Sequence, residues 1–185
     1  ALHRLSTNVN INNNIGFSFN VLPSLQVSIR DINDENDIEK LRFDNPTANT
    51  ILDVSHLLKV STNSHSGYTA TLQDEHDMSN VANDVIPDFV GTNNQPISWI
   101  NPASNSASAY LGYHTNDDSL SSGTFSRFAN NDRWAALTTI PQEIAYEDHS
   151  GQNFITTMDY RLEYTSSQPP GHYEDTVLYI VTPNY

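Results

Sequence analysis

The segment DINDENDIE, residues 31–39, places Asp31, Asn33, Glu35 and Asp37 on alternate positions. Oxygen ligands at that density are what a hard cation such as Ca²⁺ takes, and the spacing is that of an opening EF-hand loop. The loop then departs from the pattern, because Asn36 stands where the turn needs Gly and Arg42 where the closing bidentate Glu would be. An EF-hand is therefore excluded. A Ca²⁺ site built on Asp31, Asn33, Glu35 and Asp37 would draw further oxygens from another loop, QDEHD or HTNDD. The alternative is a solvated acidic turn.

Other reactive side chains offer less. Seven histidines are scattered as His3, His56, His65, His76, His114, His149 and His172, with no HExxH motif and no i, i+4 pair. Singletons in turn-rich sequence are expected at the surface. No serine sits in a G-x-S-x-G elbow or an S-x-x-K motif. Adjacent carboxylates such as Asp74-Glu75 and Asp117-Asp118 point to opposite faces of a strand, which suits no glycosidase pair. The chain is not expected to be an enzyme. Trp99 and Trp134 are the candidates for a sugar-stacking platform, but their settings, ISWIN and NDRWAALTTI, favour core packing.

Composition sets the frame for these groups. The 185 residues suffice for one cored domain, with 22 Asp and Glu against 8 Lys and Arg and a formal net charge of -14. Such a surface repels phosphate backbones and anionic lipids, so nucleic acid is not an expected partner. No apolar run is long enough to span a bilayer, and membrane insertion is not expected. Cysteine is absent, which removes disulfides and thiolate chemistry. Abundant Asn, Ser, Thr and Tyr with few Lys fits an exported β protein, and no N-x-Ser/Thr sequon occurs. A start at Ala1 fits a mature form after signal-peptide removal, and fits a boundary of any other origin equally well.

The elements that must carry these groups read as strands. Residues 8–21, NVNINNNIGFSFNV, hold Val9, Ile11, Ile15, Phe17, Phe19 and Val21 at odd positions, with Asn, Gly or Ser at every even position from 8 to 20. This is a long strand with one dry face, interrupted on that face by Asn13. Pro23 breaks it, and LQVSI resumes with Leu25, Val27 and Ile29 on odd positions. HLLKVSTN and GYTATLQ, joined by NSHSG, read as a hairpin. Residues 74–108 read as long loops or short edge strands anchored by Phe89 and Trp99. SAYLGYHT, WAALTTI, FITTMDYRLEYTS and HYEDTVLYIV complete the strands. In the last, Val177, Leu178, Tyr179, Ile180 and Val181 are all apolar, as in a strand buried on both faces. The expected fold is all-β, an Ig-like or jelly-roll-like β-sandwich at residues 25–185, with an extended N-terminal arm at residues 1–24.

The hairpin region, IPDFVGTNNQPISWIN, SAYLGYHT and the closing MDYRLEYTSSQPPGHYEDTVLYIVTPNY together resemble exported microbial surface and filament proteins over about residues 56–185. The resemblance implies a pilin-like sandwich displayed outside the cell, and it brings no catalytic residues. A strand as apolar and as terminal as residues 8–21 suits donation to a neighbouring copy's sheet. Six large apolar side chains at roughly 1.5–3 kcal/mol each would outweigh repulsion between screened acidic surfaces. The expected function is thus a homopolymeric extracellular filament subunit assembled by donor-strand exchange, with Ca²⁺ support. The alternatives are that residues 8–21 form a strand of their own sheet, and that the protein is a monomeric surface adhesin or carbohydrate-binding module.

Overall fold

The computed structural model describes residues 21–117, 120–121, 127–128 and 132–185. Among the described residues, eleven strands run in the order β1 (Leu25–Arg30), β2 (Leu52–Thr62), β3 (Tyr68–Asp74), β4 (Met78–Ser79), β5 (Val85–Ile86), β6 (Ile97–Ser98), β7 (Ala109–Thr115), β8 (Arg133–Trp134), β9 (Gln142–Glu147), β10 (Gly151–Tyr164) and β11 (Val177–Pro183). A 3₁₀ turn spans Pro102–Asn105, opened by the Asn101 side chain accepting from the Ala103 N–H. No helix among the described residues is long and apolar enough to cross a membrane.

The main strands form two antiparallel sheets, β1-β2-β10-β7 and β11-β3-β9, with β4-β5 and β6-β8 as two-residue ribbons. Alternation dictates which side chains meet between them. Leu58 and Val60 of β2, Tyr68, Ala70 and Leu72 of β3, and Met158, Tyr160 and Leu162 of β10 form one buried core with Tyr113 and Ile144. The sheets are also tied by polar contacts. Thr115 Oγ1 of β7 donates to the Ile144 carbonyl of β9 at 2.8 Å. Tyr179 of β11 meets His56 Nε2 of β2 at 2.6 Å and the Tyr160 hydroxyl of β10 at 2.5 Å. The architecture is the all-β sandwich expected from the pattern.

Four expectations are corrected. HLLKVSTN and GYTATLQ do not form a hairpin, because β2 is already paired on both sides by β1 and β10. The chain instead arches across the core to start the second sheet, and the apolar faces of β2 and β3 meet between the layers. Gly67 makes the arch possible, since its φ is +70° and a Cβ there would lie 2.0 Å from the Glu147 carbonyl oxygen. Second, the apolar run of β11 is not buried on both faces. It is the edge strand of its sheet, and Leu178 and Ile180 are 45% and 41% exposed. Third, QEIAYE, which is not among the expected strands, forms β9. The register shifts between Ala70 and Thr71, leaving Ile144 unpaired between Glu143 and Ala145, as in a bulge. Fourth, WAALTTI contributes only the end of β8 and a bridge between Ala135 and Tyr113.

Candidate functional site

The most distinctive surface is the open side of the sandwich. β1 and β11 are the edge strands on the side away from β7 and β9. Val27 lies opposite Val60 and Ile29 opposite Leu58, so Leu25, Val27 and Ile29 present the inner face of β1. Val60 is fully buried, yet Val27 is 45% exposed. Across from it, Val177, Tyr179 and Val181 present the inner face of β11 and are only partly buried. Among the described residues, no strand pairs the outer edge of β11. The result is a sheet edge with free backbone groups beside a strip of incompletely covered core positions.

The chain enters β1 at this open side. Asn63 holds it there, its Oδ1 accepting from Ser24 N–H at 2.7 Å and its Nδ2 donating to the Leu22 carbonyl at 2.8 Å. Asn63 N–H also donates to the Ser24 carbonyl. These contacts prolong β1 in line past the end of its sheet, with Val21 and Leu22 71% and 79% exposed. Val9, Ile11, Ile15, Phe17 and Phe19, the rest of the apolar face of the arm, lie outside the described residues.

The acidic loop after β1 is organised by protein groups. Asp31 accepts from the Glu35 and Asn36 N–H groups at 2.9 and 3.0 Å and from Asn36 Nδ2 at 2.8 Å. The Glu35 bond, with the Asn36 bonds behind it, holds the Asp31 carboxyl below its usual range. Asp34, outside the expected ligand set, bridges Lys59 Nζ at 2.8 Å and Arg30 Nε at 2.9 Å, and those two bonds lower its pKa. Asp37 pairs with Arg30 Nη1 at 3.0 Å. Asn33 and Glu35 are exposed. Asp31, Asn33, Glu35 and Asp37 are thus not drawn to a common point, and two basic side chains occupy the middle of the loop.

Carboxylates do converge elsewhere. Asp74 at the end of β3, Asp77 before β4 and Asp88 after β5 each bring an oxygen within 4.8 Å of the others. Asp74 is 1% exposed and its Oδ1 has no hydrogen-bond partner. Asp175, just before β11, faces the same group. Its side chain is 4% exposed, its Oδ1 accepts from Thr176 N–H at 2.6 Å, and its Oδ2 is buried without a partner. Burial, followed by repulsion from Asp74, Asp77 and Asp175, pushes the Asp88 carboxyl up to about 8. Burial likewise raises Asp175 to about 6, against the Thr176 bond, and raises Asp74. Among the described residues the basic group recorded beside them is His76, whose Nδ1 lies 3.7 Å from Asp175 Oδ1. The QDEHD stretch had signalled oxygens. That Asp88 and Asp175 would join it was not visible.

The aromatic candidates are structural. Trp134 is buried, with the Arg161 guanidinium 4.1 Å over its ring. Trp99 stacks on Phe89 at 4.5 Å and donates its Nε1–H to buried Glu163 at 2.7 Å. Neither face offers a flat open platform. Two histidines also depart from expectation, since His56 and His114 are 1% and 2% exposed on strands rather than at the surface. Burial lowers the His56 pKa. His114 Nδ1 meets the Arg133 carbonyl oxygen at 2.8 Å. Another exposed group, Glu147, Asp148 and His149, is drawn together in the turn after β9.

No protein-family model matches the chain, and no curated protein matches it at a significant level.

Proposed function

We propose that the protein is the structural subunit of an extracellular filament, in which residues 8–21 of one copy fill the open side of the sandwich of the next. The observation that carries this reading is a β11 edge with no strand partner among the described residues, together with an inward-facing Val27 that is 45% exposed. An added strand would satisfy the backbone groups of the edge and lay alternate apolar side chains over the strip between β1 and β11. The arm has that alternation, with Phe17 and Phe19 as its largest members.

Direction favours a neighbour over self-filling. Leu25 pairs with Thr62 and Pro183 with Tyr68, so β1 begins at the end of the sandwich where β11 finishes. An arm folded back onto its own β11 would run parallel to it. A neighbour's arm can enter antiparallel, the slightly more stable pairing. Asn63 also holds Leu22 and Ser24 beside the end of β2. Donating forward and accepting from behind is a heterologous contact, and without closure it propagates.

The test is the double substitution Phe17→Asp and Phe19→Asp in the full chain, followed by sedimentation, circular dichroism and negative-stain imaging. Wild-type protein should form fibres and the variant a folded monomer. A synthetic peptide of residues 8–21 should then bind that monomer and raise its melting temperature. Loss of the fold in the variant, or wild-type protein that stays monomeric at high concentration, would overturn the proposal.

A further inference from the structure

We infer that Asp74, Asp77 and Asp88, with Asp175 beside them, form a Ca²⁺ site that fastens the entry to β11 onto β3 and the β4-β5 ribbon. Oxygens bound to Ca²⁺ at roughly 2.3–2.6 Å can lie no more than about 5 Å apart across the ion. Three carboxylate oxygens mutually within 4.8 Å meet that limit.

The second observation is that two of these residues carry buried oxygens with no hydrogen-bond partner. Asp74 is 1% exposed with Oδ1 unpartnered, and Asp175 Oδ2 is buried and unpartnered as well. A buried carboxylate oxygen without a donor carries the full cost of desolvation. Here two do so, one from Asp74 and one from Asp175, and no Lys or Arg is paired with the group among the described residues. The acidic loop after β1 is the internal contrast, because Arg30 and Lys59 neutralise it.

The frame is built of backbone bonds rather than of the carboxylates themselves. Asp74 N–H donates to the Thr138 carbonyl and Glu75 N–H to the Thr176 carbonyl, both at 3.0 Å. Ser79 and Glu174 exchange two bonds at 3.0 Å. Asp88 is set between Leu111 N–H bonded to the Pro87 carbonyl and Phe89 N–H bonded to the Leu111 carbonyl. Segments far apart in sequence are thereby held with their acids converging. An all-oxygen set of three or four carboxylates without cysteine or an inward histidine suits Ca²⁺ over Zn²⁺, and its irregular loop origin suits Ca²⁺ over the rigid octahedron of Mg²⁺. This inference does not depend on filament assembly.

The experiment is calorimetric titration of chelator-treated full-length protein with CaCl₂, and separately with MgCl₂, alongside thermal melts. Wild type should bind one Ca²⁺ saturably and melt at a higher temperature with it. Asp88→Asn takes one ionisable carboxyl out of the crowded group and replaces it with a neutral amide of the same shape. It should therefore melt in chelator at or above the wild-type temperature while binding Ca²⁺ at least about tenfold more weakly, since affinity follows the count of charged ligands. Asp74→Asn should behave alike, and Asp31→Asn with Glu35→Gln should keep wild-type affinity. Absence of saturable Ca²⁺ binding, equal affinity for Mg²⁺, wild-type affinity in both Asp74→Asn and Asp88→Asn, or loss of binding only in the Asp31/Glu35 variant would each overturn the inference.

Discussion

Val27→Asp separates folding from assembly most cleanly. In the isolated subunit Val27 is 45% exposed on the inner face of β1, so a carboxylate there keeps much of its water. Its cost to the fold should be no more than about 1 kcal/mol, near the centre of what single substitutions do. Covering that remaining surface with a donated strand recovers 45% of the roughly 1.5–3 kcal/mol for burying a valine, about 1 kcal/mol per joint. Val27→Ala should therefore weaken each joint only about fivefold. Aspartate does far more, because the incoming strand would strip water from an unpaired charge. At on the order of 4 kcal/mol the joint weakens about a thousandfold. The assay is the concentration at which fibres appear in sedimentation, with circular dichroism to verify the fold and Val60→Asp as the control that unfolds, since Val60 is fully buried. Assembly of Val27→Asp should partly return on acidification, as its carboxyl takes a proton. Unchanged assembly would refute the placement of the arm. Unfolding as severe as that of Val60→Asp would show the groove already filled within one chain.

Three further outcomes follow from the same contacts. In chelator, the share of thermal stability set by Asp88 and Asp175 should fall as pH rises from about 4 to 8. The folded-state values of Asp88 and Asp175, about 8 and about 6, lie above the ordinary 3.8, so the proton-linked stabilisation is complete below 3.8 and lost through that window, as melts across pH will show. Trp99→Phe should cost about 1–3 kcal/mol in urea unfolding, because Glu163 keeps its burial and loses the indole N–H. Gly67→Ala should destabilise by more than about 1 kcal/mol in the same assay, since the arch needs positive φ and the Glu147 carbonyl oxygen leaves no room for Cβ.

Side-chain facing was legible from the chain itself. Alternate apolar residues in 25–29, 58–60 and 68–72 mark the inner faces, because a strand sends successive side chains to opposite sides whatever it pairs with. The burial of Trp134 was legible in the same way, from an apolar setting. Pairing was not. Whether NSHSG closes a hairpin or arches between layers depends on β10, nearly a hundred residues later, occupying the free side of β2. Burial of β11 depends on what lies at its edge, so five consecutive apolar residues could not distinguish a central strand from an edge with an exposed outer face. The converging carboxylates show the limit most plainly. Asp74 and Asp77, Asp88, and Asp175 come from three stretches with no common spacing. Their meeting is a product of long-range backbone bonds, whereas the regular spacing of Asp31, Asn33, Glu35 and Asp37 resolved into a loop whose charges turn toward Arg30 and Lys59 or into solvent. Local periodicity constrains direction over a few residues, and proximity between distant residues is decided by which faces must share a dry core.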